Sequence, residues 1–321
     1  MGMNVPKRVV PNSYFASYLE TSDEWIRERT GIAERRWIEN NESASELAEP
    51  AARDAVKAAG LEMGDIDGIV FATVTPDHIF PSTASCLQRK LGCTGGLAFD
   101  VNAVCAGFIY AFATADSLIR SGFAKNILVV GSDIYSRILD LDDRGTCILF
   151  GDGAGAVVLS RIEAGAGVSG GVLGSKLKAD GSYTDILCVP AGSAKPWGPG
   201  SFEAKDNCVH MAGKEVFKLA VRHLAEISEQ LLAEHGFTAK DVDWIVSHQA
   251  NKRILDSVSK HLGTDPERML INVEKYGNTS AASVPMLFCE SVAAGTIKRG
   301  DLVLINAFGG GVTWGASLIR Y

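Results

Sequence analysis

Three side chains in this sequence are of the types that nucleophilic catalysis by a thiol draws on. They are Cys105 in "DVNAVCAGF" (100–108), His248 in "SHQAN" (247–251) and Asn278 in "GNTSAAS" (277–283). Cys105 stands between a strand-like alternating run, Ala98 to Val101, and the small-residue apolar stretch "AGFIYAFATADSLIRSG". A helix beginning near Cys105 sets the sulfur beside unpaired backbone N–H groups and the positive end of a helix dipole. Both lower a thiol's pKa and favour the nucleophilic thiolate. Each residue also has a plainer reading. Most free cysteines are buried small hydrophobes, a histidine often caps a helix or sits in a core, and "GN" is a turn signal in its own right.

The elements that would position these residues favour the chemical reading, because the chain repeats itself. "GDIDGIVFAT" (64–73) is echoed by "KDVDWIVSHQ" (240–249), "AKNILVVGSD" (124–133) by "RGDLVLINAF" (299–308), and "GAVVLSR" (155–161) by "GASLIRY" (315–321). Amphipathic helix patterns precede each copy of the first echo ("ASELAEPAARDAVKAAG", 44–60; "GKEVFKLAVRHLAEISEQLLAEHG", 213–236). Others follow it ("STASCLQRKLG", 82–92; "NKRILDSVSKHLG", 251–263). Val- and Ile-rich strands followed by helices imply mixed, mostly parallel sheets with both faces covered. The fold class is therefore α/β, with two pseudo-twofold-related halves in an αβαβα layering. The halves run over 1–162 and 163–321, divided at the Gly-rich "EAGAGVSGG" (163–171).

In the second half a strand, near "VSGGVLGSKL", precedes the helix, whereas "MGMNVPKRVV" begins too late to supply its counterpart. Either the chain starts downstream of a natural strand or the first sheet is one strand short. The repeat puts Cys105 at the strand-to-helix join of the first half and Asn278 at the matching turn, "INVEKYGNTSAASVPM" (271–286). His248 follows the strand "DWIVS". All three then sit at the carboxyl ends of strands, where open α/β sheets build their sites.

Composition excludes several classes. The 321 residues carry a net charge of −7, which argues against general nucleic-acid affinity. No apolar run approaches the roughly 18 residues of a membrane span, and the N-terminus has no signal-peptide core; the expected location is cytoplasmic. The seven cysteines are scattered without a C-x-x-C pair, so reduced thiols are expected and no metal site. "FGDGAGAVVL" looks like a phosphate loop, but it runs from one strand-like segment, "TCILF", into another, "AVVLS". A phosphate loop must open a helix, so a hairpin-like turn is expected there instead.

"AVCAGF", "SHQAN", "GNTSAAS" and "AFGGG" (307–311), together with "TSDEWIRERTGI" (21–32) and "DRGTCILFGDGAGAVVL" (143–159), resemble the β-ketoacyl-acyl carrier protein synthase III family of the thiolase superfamily. The resemblance runs from about Pro6 to Tyr321 and departs from the family at the N-terminal strand, which lies centrally in the family's first sheet. It implies a thiolase-like fold and the condensation that initiates fatty acid synthesis. Cys105 would take an acyl group from a coenzyme A thioester. A malonyl group on acyl carrier protein would lose carbon dioxide, and its enolate would attack the acyl-cysteine. His248 and Asn278 would donate to the enolate oxygen, while backbone N–H groups of Cys105 and Gly310 would form a second oxyanion hole.

The resemblance further implies that Trp25, Arg29 and Arg144 hold the adenine and phosphates of coenzyme A and that Asn251 contacts its pantetheine arm. Phe308 would line the acyl pocket, and Phe80 would reach across a homodimer interface to close the partner's. The thioester substrates would need neither a metal nor another cofactor. Lys214, Lys218 and Arg222 are spaced i, i+4, i+8 on one helical face, and Lys252, Arg253 and Lys260 lie just past His248. Such a basic patch suits docking of the acidic carrier protein, although a charged stripe is equally a solvated face.

Three other readings share features with this one. A condensing enzyme or acyltransferase of polyketide- or quinolone-type metabolism would keep the same Cys–His–Asn set. A papain-like hydrolase shares the three residue types but gives no reason for the doubled architecture. A non-catalytic partner subunit would be expected to have lost Cys105.

Overall fold

Strand and helix periodicities alternate along the chain, and each strand has two faces to cover. The computed structural model describes residues 1–162, 170–192 and 204–321; most of the expected boundary segment, 163–171, lies outside them. Strands β1 (Gly2–Asn4), β2 (Gly68–Ala72), β3 (Leu97–Val101), β4 (Asn126–Ile134) and β5 (Asp152–Ser160) form one sheet in the order β1-β5-β4-β2-β3. Strands β6 (Gly171–Ala179), β7 (Trp244–Ser247), β8 (Leu302–Gly309) and β9 (Thr313–Arg320) form the other, ordered β7-β8-β9-β6. The helices that cover them are α1 (Asp23–Thr30), α2 (Ala44–Ala58), α3 (Thr83–Leu91), α4 (Gly107–Arg120), α5 (Gly213–Glu234), α6 (Lys252–Leu262) and α7 (Ser283–Ala293).

Period-2 alternation builds the layers. On β2, Val70 and Ala72 join Phe108, Ile109 and Phe112 of α4, Val284 and Leu287 of α7, and Val303 and Ile305 of β8 in one central core. Ile69 and Phe71 turn the other way, onto Leu47, Ala48, Ala51 and Ala52 of α2. In the second half Ile245 and Leu304 face outward onto Leu224, Ile227 and Leu231 of α5 and Leu255 and Val258 of α6. The order is thus helix, sheet, paired helices α4 and α7, sheet, helix. A capping box between Ser43 and Glu46 starts α2, as its sequence pattern implies.

The β4–β2, β2–β3 and β7–β8 ladders are parallel. The β1–β5, β4–β5, β8–β9 and β9–β6 ladders are antiparallel. The antiparallel share exceeds the expectation because β4 to β5 and β8 to β9 connect without a crossover helix, and only a crossover returns a strand parallel.

Two expectations need correction. The first sheet is not short of a strand: Gly2–Asn4 pairs with Ala154–Ala156 at the sheet edge, as β6 pairs with β9 in the other half. Three residues are too few to carry a periodic signal. Gly2 is required there, since a Cβ would stand 2.1 Å from the Ala51 carbonyl of α2. The abbreviated strand belongs to the second sheet, where the counterpart of β3 is reduced to one bridge, Ile245 with Met269. Secondly, "TCILF" is no strand. Its residues form turns, and only Phe150 bridges, to Asn278. Two of its carbonyls are met by side chains instead, Ile148 by the Arg35 guanidinium at 2.7 Å and Phe150 by the Trp37 indole at 3.0 Å.

Candidate active site

A single 3-10 turn, Val104–Ala106, carries Cys105 from β3 into α4, and a second, Ser280–Ala282, leads into α7. Val104 at φ 49° and Ser280 at φ 50° open them; among the described residues no other non-glycine has positive φ. Left-handed backbone in such residues costs on the order of 1–3 kcal/mol, so its recurrence at matching positions marks a shared construction. Cys105 is the second residue of one turn and Ala281 of the other. Glycine makes the crossing between halves possible: a Cβ on Gly309 would stand 2.7 Å from the Cys105 nitrogen.

Cys105 is 3% exposed, and the Ser280 hydroxyl donates to its sulfur over 3.4 Å. Burial pushes the thiol's pKa up to about 12; the neighbouring Asp133 adds to this, while hydrogen bonds from Ser280 and Tyr135 oppose it. The depression expected at a helix start is therefore not realised in the resting site, because losing water outweighs the nearby donors. Asp133 is itself buried and accepts from Val74 N–H, Thr73 Oγ1 and, at 3.1 Å, Ala281 N–H. It thus ties the end of β4 to the turn before α7.

His248 is equally buried, and burial lowers its pKa to about 3, which leaves a neutral imidazole at physiological pH. Its Nδ1 lies 2.6 Å from Ser283 Oγ. Asn278 is held at both ends of its backbone, N–H to the Leu149 carbonyl and carbonyl to Gly151 N–H. Its Oδ1 accepts from Ser280 N–H at 2.9 Å. Since a backbone N–H can only donate, this contact fixes which amide end is oxygen. The –NH2 end stays available as a donor.

Cys105, His248 and Asn278 line one cavity of about 410 Å³. Trp25, Arg29, Arg144, Asn251, Lys214, Arg253 and Phe308 line it too, so the structure brings these predicted residues together. The guanidinium carbons of Arg144 and Arg29 stand 4.7 and 5.4 Å from the Trp25 ring centroid. Asn251 also has its plain role, capping α6 by accepting from Arg253 N–H at 2.9 Å, and donates to the Arg29 carbonyl.

Five predicted residues stand away from this wall. Phe80 is 84% exposed and does not line its own chain's cavity. Gly310 abuts the Leu187 carbonyl. Lys218 and Lys260 are exposed beyond the cavity, and Lys252 is paired with Asp256 at 2.8 Å. Ser280, Ser283, Tyr135 and Asp133 were not singled out from sequence. The structure, not the repeat, pairs the first of them with Val104, through the two 3-10 turns. Among the described residues no cluster of three or more His, Cys, Asp or Glu could hold a metal ion, and no helix is long and apolar enough to cross a membrane.

Residues 99–181 match the family model described as 3-oxoacyl-[acyl-carrier-protein (ACP)] synthase III, and residues 232–321 its C-terminal model. A β-ketoacyl-[acyl-carrier-protein] synthase III of Erythrobacter litoralis is 50% identical over 320 residues, spanning 100% of this chain and 97% of that protein. The chain belongs to the synthase III family. The crystal structure of 3-oxoacyl-[acyl-carrier-protein] synthase III from Aquifex aeolicus superposes with a TM-score of 0.91 at 42% identity, over 100% of this chain and 98% of that one. A priming β-ketosynthase from the R1128 polyketide pathway shares the fold at TM-score 0.91 and 30% identity, over 99% and 94%. As a synthase III, the chain is a condensing acyltransferase of fatty acid synthesis with a thiolase-type fold, which sets aside the hydrolase reading.

Proposed function

We propose that this synthase III condenses an acyl-coenzyme A starter with malonyl-acyl carrier protein through an acyl-cysteine at Cys105. The observation that carries the reading is the single cavity with Cys105, His248 and Asn278 buried and Trp25, Arg29, Arg144, Lys214 and Arg253 at its more exposed end. Cations at the mouth suit the phosphates of coenzyme A and of a phosphopantetheine arm, and an indole suits adenine. In the first half-reaction the sulfur of Cys105 attacks the thioester carbonyl, and the acyl group moves to it as the coenzyme A thiol departs with the proton. The backbone N–H of Cys105 serves the tetrahedral oxyanion; Gly310, the second donor expected, does not line the cavity. In the second, malonyl thioester loses carbon dioxide and the resulting enolate oxygen meets the Asn278 –NH2 and His248. The enolate carbon then attacks the acyl carbonyl, and the Cys105 thiolate leaves and regains a proton. The residues supplying the nucleophile lie in 1–162 and those serving the enolate in 163–321.

A cytoplasmic homodimer belongs to the same reading. Ile79 and Phe80 are 76% and 84% exposed, and edge strand β3 is half-exposed along its whole length. An edge strand together with exposed apolar side chains is a surface that a second copy would cover, with Phe80 then closing the partner's acyl pocket.

Intact-mass measurement after incubation with a panel of acyl-coenzyme A thioesters tests the reading. One acyl group should add to the protein, and malonyl-acyl carrier protein should discharge it with release of carbon dioxide. Free acid without an acyl-enzyme, or an acyl-enzyme that malonyl-acyl carrier protein leaves untouched, would refute it.

Carrier-protein docking is assigned to the cationic rim of Lys214, Lys218, Arg253 and Lys260, of which Lys214 and Arg253 border the cavity. Charge reversal at Lys214 or Arg253 is expected to raise KM for malonyl-acyl carrier protein by roughly tenfold at low salt. Salt should shrink that effect. Reaction with malonyl-coenzyme A should change less. An equal loss with both donors, insensitive to salt, would show that the rim is not the docking face.

A further inference from the structure

The enolate role proposed for His248 has a requirement that its neighbours must meet. A neutral imidazole has one N–H. Nδ1 is committed to Ser283 Oγ at 2.6 Å, so the ring atom left for the cavity is Nε2, and it can donate there only if Nδ1 carries no proton. We propose that Ser283 is the positioning residue that donates its hydroxyl hydrogen to Nδ1 and so keeps the single N–H of His248 on Nε2. The inference rests on the enolate reading of His248.

Three groups surround the Ser283 hydroxyl, which has one hydrogen and two lone pairs. Gln249 N–H lies 3.3 Å away and can only donate to it. The Ser280 carbonyl lies 2.8 Å away and competes for the hydrogen. That carbonyl already accepts the Ser283 backbone N–H in the turn before α7, so it is not orphaned when the hydroxyl turns to the ring. Nδ1 has no such second partner, and at 2.6 Å its contact is the shortest of the three. The result is a chain of donors from Gln249 N–H through Ser283 O–H and the imidazole to the cavity, in which each bond polarises the next. With the hydroxyl turned to Ser280 instead, Nε2 would present a lone pair to a developing enolate oxygen and repel it. The position of α7 sets this up: Ser283 is its first residue and lies 2% exposed against the loop after β7.

The tautomer is read by 15N NMR of histidine-labelled protein without substrate, the His248 signals being assigned by their loss in His248→Ala. Nε2 should resonate as a protonated, pyrrole-type nitrogen and Nδ1 as an unprotonated, pyridine-type one. In Ser283→Ala the two forms should mix, and malonyl decarboxylation should fall about tenfold, the scale of one hydrogen bond, with acylation of Cys105 changed much less. Ser283→Thr, which keeps the hydroxyl, should restore the tautomer. A wild-type ring protonated on Nδ1 would overturn the proposal. So would loss of both half-reactions in Ser283→Ala with the tautomer unmoved. The wild-type spectrum needs no turnover, so a wrong tautomer and a failed condensation are separate results.

Discussion

Cys105→Ala and Cys105→Ser will fold and will take up no stable thioester label from any acyl-coenzyme A. In the proposed mechanism the sulfur is the covalent carrier and not one of several stabilising contacts, so the loss should be complete. Folding survives because the change removes or exchanges one small atom in a cavity wall, at a cost of about 1 kcal/mol. The resting thiol also has a pH signature. With its pKa pushed up to about 12, the thiolate fraction grows roughly tenfold per pH unit throughout the accessible range. Alkylation of Cys105 by iodoacetamide should therefore keep accelerating past pH 9, the ordinary thiol value. A plateau below pH 9 would show that burial does not raise this thiol, and a peptide map placing the acyl group on another cysteine would overturn the assignment of the nucleophile. In the proposed mechanism Cys105, protonated at rest, would acquire its nucleophilicity during acyl transfer, with Ser280 and Tyr135 as the donors that favour the thiolate.

Asn278→Asp separates the two half-reactions. One carboxylate oxygen can still accept the Ser280 N–H that Oδ1 receives now, so the loop keeps its anchor and Cys105 should still be acylated. The other oxygen replaces the –NH2 group. It offers no hydrogen bond and repels a developing enolate, so malonyl decarboxylation should fall by about 10²–10³, as when a donor is taken from an oxyanion hole. Timing label uptake at Cys105 and carbon dioxide release separately checks this. Lost acylation with decarboxylation intact would move Asn278 to the nucleophile's side of the mechanism.

The antiparallel ladders of β5 and the short edge strand Gly2–Asn4 show where local pattern stops being informative. Strand direction depends on how a connection returns, and a three-residue strand exists only because β5 offers a ladder to it. The turn "TCILF" makes the same point: its apolar residues are buried like a strand's, but Arg35 and Trp37, distant in sequence, satisfy two of its carbonyls. None of this was legible in single segments.

What the sequence determined by itself was everything that repeats or alternates. Periodicity set the strands and helices, and the internal echoes set the pseudo-twofold plan. That plan carried Cys105, His248 and Asn278 to one rim, because equivalent joins of a doubled fold meet across its axis. Tertiary structure alone decided the chemical state of those residues. Burial, which no local pattern records, raises the Cys105 thiol and neutralises His248. The orientation of the Asn278 amide and the partner of the imidazole depend on single contacts from Ser280 and Ser283. Protonation and donor direction follow from solvent exclusion and distances of a few ångströms between residues far apart in the chain, and those are fixed only when the two halves close on each other.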